Sequence, residues 1–238
     1  DAGLEHLRPL ANLRSLKIRS PQVSDGGMEP VSSLTGLTSL VLEDTYVTDT
    51  GAELLASLTN LKELNLFRTQ VGDEGLKAVT AMPHLKTLNV RDTQVGDAGL
   101  EPLKQLGELT SLVLAETYVG DEGIAHLSGM TSLEALDLWN TRVTDASLDV
   151  IAGLTNLRQL NLENTSITDA AADRLAELTQ LEILNLRETD LTDEGLAKLQ
   201  AIKSLRQLNV EITDVTADGL RAFKEALPNV SVRSDVRL

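Results

Sequence analysis

The sequence contains no cysteine, which removes disulfides and thiolate metal sites and leaves either redox compartment open. Histidine is scarce, at three residues, and aromatic side chains make up only 2% of the chain. Cations are outnumbered as well: 21 Lys and Arg face 36 Asp and Glu, for a formal net charge of −15 over 238 residues. Nucleic acid and anionic membranes are held by clustered Lys and Arg, so this balance argues against both as partners. No apolar run approaches the roughly 20 residues of a membrane span, and membrane insertion is not expected. Nor is there a glycine-rich phosphate loop, because the 16 glycines mostly sit at regularly spaced D-x-G phrases or in turns.

What the chain has in abundance is periodicity. Leu13, Leu37, Leu61, Leu85, Leu109, Leu133, Leu157, Leu181 and Leu205 each open an L-x-x-L-x-[LIV] phrase at a spacing of 24, without insertion or deletion. The alternation within each phrase, as in Leu64 and Leu66 or Leu160 and Leu162, predicts a short strand with one buried face. A fourth apolar column, from Val23 through Val71 and Ile167 to Val215, follows five positions later. Three more columns spaced i, i+3, i+6, such as Leu76, Val79 and Met82, predict one face of a short helix.

Between strand and helix lies a second phrase, T-x-[VIL]-x-D-x-[GAS], as in residues 69–75 and 93–99. Its aspartates, including Asp49, Asp73, Asp145 and Asp169, directly precede the helical columns. A row of calcium sites is one reading. A cap on each helix's own first N–H groups is favoured, because every carboxylate has a helix N-terminus beside it. The Thr heading the phrase is expected to bridge backbone groups of adjacent turns.

A unit of one strand and one helix, restated at this period, resembles the leucine-rich repeat family. The T-x-V-T-D-x-G-L phrases are similar to those of bacterial 24-residue repeats and of the GALA-type and ribonuclease-inhibitor-like classes, and residues 51–56 read G-A-E-L-L-A. The ninth repeat position is Thr, as at Thr45, where most members carry Asn. The resemblance covers residues 1–227 and implies an α/β solenoid: a right-handed arc with parallel strands on the concave face and short helices on the convex face. Strands pack about 4.8 Å apart and helices about 10 Å apart, which bends such a stack and gives a concave wall of roughly 40 Å. The family also implies protein binding on that face and only exceptionally catalysis.

The uninterrupted period predicts a single domain over 1–238: a partial repeat at 1–12, nine repeats starting at 13, 37, 61, 85, 109, 133, 157, 181 and 205, and a closing edge and tail over 228–238. Residues 1–12 match 97–108 in register, so the chain begins within a repeat and is expected to be a piece of a longer protein. A monomer is expected, with no cofactor and no metal. Catalysis finds no constellation: His6 and His126 share one repeat position on the helical side, and His84 lies in a turn, away from the strand-face carboxylates.

Function is sought in the positions that the repeat leaves variable. One strand-face column runs Lys17, Val41, Asn65, Asn89, Val113, Asp137, Asn161, Asn185, Asn209, and is read as a solvated amide ladder in preference to a ligand site. Of the five aromatics, Phe67 and Trp139 fall in the next open column, and Tyr46 and Tyr118 follow the Thr at its rim. Exposed aromatics cost solubility unless something covers them, and Trp, Tyr and Arg dominate binding hot spots. The competing reading is that the rings lie flat over neighbouring strands as packing. Tyr46 and Tyr118, and likewise Phe67 and Trp139, are three repeats apart, and residues 37–47 are nearly reproduced by 109–119. The expected partner site is therefore Tyr46, Phe67, Arg68, Arg91, Tyr118, Trp139, Asn140 and Arg187, with the arginines pairing partner carboxylates. A structural spacer in a multidomain protein, or the recognition part of an enzyme or effector whose catalytic region lies elsewhere, are the alternatives.

Overall fold

An apolar residue at every second position over four to six residues supports only a short strand, and most strands here span three residues. The computed structural model describes residues 1–236; the last two residues of the tail expected over 228–238 lie outside the described residues. The chain divides into two compact units, residues 1–119 and the residues from 120 onward.

In the first unit, β1 (Ser15–Arg19), β2 (Ser39–Glu43), β3 (Glu63–Asn65), β4 (Thr87–Asn89) and β5 (Ser111–Val113) pair in sequential order, all parallel. Register partners are 24 positions apart, such as Leu40 with Leu64 and Leu64 with Leu88, so each column of the sequence becomes a row across the sheet. In the second unit the same rule orders β6 (Ala135–Asp137), β7 (Gln159–Asn161), β8 (Ile183–Asn185), β9 (Gln207–Asn209) and β10 (Ser231–Arg233). All seven apolar columns go inside: Leu61, Leu64, Leu66, Val71, Leu76, Val79 and Met82 are at most 1% exposed, as are their counterparts from Leu157 to Leu178. Truncating one of these leucines to alanine in so dense a core costs about 2–5 kcal/mol.

The helical side mixes two geometries. Asp73–Leu76 is α-helical and continues as a 3₁₀ helix over Lys77–Ala81, while Asp97–Gln105 is 3₁₀ throughout and contains Pro102. The cause is legible in the spacing i, i+3, i+6, which eclipses on one side of a helix with three residues per turn.

Two expected roles are corrected. The aspartate does not cap its own helix. Its Oδ1 accepts the backbone N–H of the residue 23 positions later, in the next repeat: Asp25 from Thr48 at 2.7 Å, Asp49 from Gly72 at 2.6 Å, Asp169 from Thr192 at 2.8 Å. Where that residue is Thr, its hydroxyl also donates to Oδ2, at 2.7 Å for Asp25 and 2.5 Å for Asp169. Where a Thr precedes the aspartate, it caps the helix: Thr48 and Thr192 accept from Thr50 N and Glu194 N, whereas Gly72, Gly96 and Gly120 at the same position offer no side-chain cap. The hydroxyl of the Thr at the head of the phrase, in turn, bonds within its own repeat. Thr69 Oγ1 donates to Leu66 O at 2.8 Å and Thr189 Oγ1 to Leu186 O at 2.7 Å, closing a turn within one repeat. A short hydroxyl-bearing side chain reaches back three residues, and that satisfies a buried group locally.

The glycine two positions after the aspartate has a specific cause. A Cβ on Gly75 would stand 2.6 Å from Asp49 Oδ1 and 2.9 Å from Asp49 Cα, so the next repeat's helix could not approach so closely. In the second unit Ser147 and Ala171 fill that register, and the Ser147 hydroxyl bonds to Asp121 instead.

Candidate functional site on the strand face

The strand face is shaped by how each strand ends. Asn65, Asn89, Asp137, Asn161, Asn185 and Asn209 each turn Oδ1 back to accept the N–H two residues on, at 2.9 to 3.1 Å. This side-chain turn satisfies the backbone where the strand ends and so replaces the expected solvated amide row with a structural one. Three positions further the backbone passes through the left-handed region: Asp44, Arg68, Asp92, Glu116, Asn140, Asn164, Glu188 and Ile212 have φ between 51 and 59°, and none is glycine. Within each unit their N–H groups donate to the next repeat, as Arg68 N does to Arg91 O at 3.0 Å and Asn164 N to Arg187 O at 2.9 Å.

In the first unit the structure brings four of the expected residues together. Phe67 is half-buried, and the guanidinium carbons of Arg68 and Arg91 lie 5.8 and 5.3 Å from its ring centroid. Arg68 is held between Asp44 at 3.1 Å and Asp92 at 3.4 Å, and Arg91 meets Glu116 at 2.8 Å. The cations expected to await partner carboxylates are thus already paired and position the ring. Beside them Tyr46, 58% exposed, walls a cleft of about 310 Å³ together with Pro21, Arg68, Gln70 and Gln94. Gln70 and Gln94 share the 24-residue column of Tyr46 and Tyr118, and escaped the sequence reading because only the aromatic members of that column were singled out. Tyr118, 50% exposed, stands near the backbone of Gly96, one repeat beyond Gln94.

In the second unit the expected residues are spread along the strands. Trp139 is half-buried, and its N–H donates to Asp137 Oδ1 at 3.1 Å. Asn140 is exposed and accepts from Asn164 Nδ2 at 2.8 Å. Arg187 is held by Glu163 at 2.6 Å and Glu188 at 3.1 Å; the hydrogen bond to Glu163 raises its pKa above the ordinary guanidinium value. Ile212, 52% exposed, is the one apolar residue in its column, a signal present in the sequence.

Among the described residues no group of three His, Cys, Asp or Glu side chains is placed to hold a metal ion, and no helix is long and apolar enough to cross a membrane. His84 sits 3.0 Å from Glu108 on the surface, outside the strand-face patches.

A family model described as leucine rich repeat matches residues 131–191, and a second of the same description matches 57–79 and 81–104. Leucine-rich repeats thus lie in both units. Among solved structures, this leucine-rich repeat chain is similar to an internalin (inlF) of Listeria monocytogenes, with 21% identity and a TM-score of 0.66 over 97% of this chain and 77% of that one. An internalin C2 (inlC2) of the same organism matches at 25% identity and a TM-score of 0.65, over 90% and 83%. A TDR receptor matches at 17% and 0.61, over 95% of this chain and 43% of the receptor. No match is found among curated proteins. Leucine-rich repeats are in general protein-interaction modules and typically not enzymes.

Proposed function

We propose that the strand face of this leucine-rich repeat protein binds a protein partner, through an aromatic patch in the first unit and Trp139 in the second, and without catalysis. The observation that carries the reading is Phe67: a ring flanked by two guanidinium groups, each fixed by its own carboxylate, next to an exposed Tyr46 at the mouth of a cleft. Ion pairs that hold the arginines in place reduce the ordering cost of binding, and a pre-set aromatic and guanidinium surface is what hot spots are made of. In the second unit Trp139, with Asn140 beside it in sequence and Arg187 two repeats further, adds to that surface. The chain acts as a monomeric array toward that partner.

The test is capture of the partner from the native source, followed by affinity measurement on Phe67→Ala and Trp139→Ala separately and together. Loss of a hot spot weakens binding by about 30-fold or more at each patch. Unchanged affinity in the double variant would show that the partner sits elsewhere.

A further inference from the structure

The second unit holds another groove on its strand face, about 380 Å³ across β8, β9 and β10, lined by Ile183, Asn185, Gln207, Asn209, Ser231 and Arg233. Its chemistry is suggested by a pairing that two other asparagines of the same row make. Asn65 uses Oδ1 for its own turn and gives Nδ2 to Glu43 Oε1 at 3.2 Å; Asn185 does the same and gives Nδ2 to Glu163 Oε2 at 2.8 Å. In both cases the carboxylate comes from the residue 22 positions earlier. For Asn209 that position is Arg187, a cation turned toward Glu163 and Glu188. Asn209 Oδ1 is committed to Glu211 N at 3.0 Å, so the donor end of the amide is left in the groove with no acceptor among the described residues. Arg233 is its register neighbour on β10 and has no ion-pair partner among the described residues. Gln207 and Ser231, paired in register one step away, add an amide and a hydroxyl with no side-chain hydrogen bond among the described residues.

We propose that this groove binds a side-chain carboxylate, Glu or Asp, of a protein partner, taken between Asn209 Nδ2 and the Arg233 guanidinium. The inference rests on the reading that the strand face meets a protein. It supplies from outside the carboxylate that Glu43 and Glu163 supply from within at Asn65 and Asn185, two of the four other asparagines of the row. A guanidinium and a primary amide offer convergent donors to an anionic oxygen pair, and charge-assisted bonds of this kind are the strong ones. The net charge of −15 opposes an anion at long range, but screening at physiological salt confines that to about 8 Å.

The experiment is ¹⁵N NMR titration of the whole chain with N-acetylglutamate amide, whose only carboxylate is on the side chain. N-acetylglutamine amide and N-acetylalanine, the latter with only a terminal carboxylate, serve as comparisons. Saturable shifts of the Asn209 side-chain amide and Arg233 Nε with the first compound alone are expected. Arg233→Gln and Asn209→Asp should each weaken binding at least tenfold; Asp137 shows that aspartate supports the same turn, so Asn209→Asp keeps the fold. Shifts that do not saturate, that survive in either variant, or that N-acetylalanine matches would overturn the assignment. Because the probe reports on this groove without any partner, its result is separable from that of Phe67→Ala and Trp139→Ala.

Discussion

One carboxylate per repeat joins its helical turn to the next, and the strength of the joint depends on what the next repeat offers. Asp169 receives both the N–H and the hydroxyl of Thr192, whereas Asp49 receives only the N–H of Gly72. Leaving a partly buried N–H without its acceptor costs about 1–3 kcal/mol, and a further hydrogen bond adds about 1 kcal/mol. Asp169→Ala should therefore lower stability by about 1 kcal/mol more than Asp49→Ala, read from urea midpoints at constant m. Equal losses would mean that the hydroxyl contributes nothing. Asp121 carries a pH dependence from the same geometry. Burial alone would raise its pKa, but hydrogen bonds from Ser147 and Thr144 outweigh burial and hold the carboxyl below its ordinary value. A carboxyl depressed in the folded state contributes stability above its unfolded pKa and loses that contribution as pH falls through the folded value. The stability gap between wild type and Asp121→Asn should accordingly be full at pH 7 and shrink below about pH 4. A gap that stayed constant down to pH 2 would contradict it. The aspartate column was plain in the sequence, but its partner lies 23 residues away, and a helix start was the nearer candidate.

At the scale of elements, the strand exit is where local rules are broken. Seven of the eight left-handed residues are charged or amide side chains, and one is Ile212. A β-branched residue in this region is strained by about 1–2 kcal/mol, and Ile212 is half exposed, so little burial offsets it. Its N–H is satisfied by Asp235 Oδ2 at 2.5 Å, a side chain standing where a following repeat would place a carbonyl. Ile212→Asn should raise the thermal midpoint and stabilise by about 1 kcal/mol; a lower midpoint would show that the isoleucine is held by packing. The strands, the apolar columns and the placing of Phe67 between Arg68 and Arg91 could all be read from 24-residue alignment, because a parallel in-register sheet maps columns onto rows. The left-handed exit could not, since Asp, Arg, Glu, Asn and Ile share no side-chain property that marks the conformation.

Over the whole molecule, the excess of acid sets the response to salt. Many ion pairs among the described residues are between exposed side chains, such as Lys77 with Glu74 and Arg221 with Asp218, and each contributes little. The repulsion within a net charge of −15 is general and is screened over the same range of ionic strength. Raising NaCl from about 10 to 200 mM should therefore raise the urea midpoint, which would fall instead if the local pairs governed stability.

The bond from each aspartate to the N–H 23 positions on also limits how the gene for such a chain can change. Removing or adding one residue between the two ends moves an apolar column into solvent and parts the carboxylate from its donor. A deletion of 24 residues within a unit, cut at equivalent positions, rejoins an aspartate to an equivalent amide and leaves every column in place. Chain length is thus quantised, and tolerated insertions and deletions come as whole repeats.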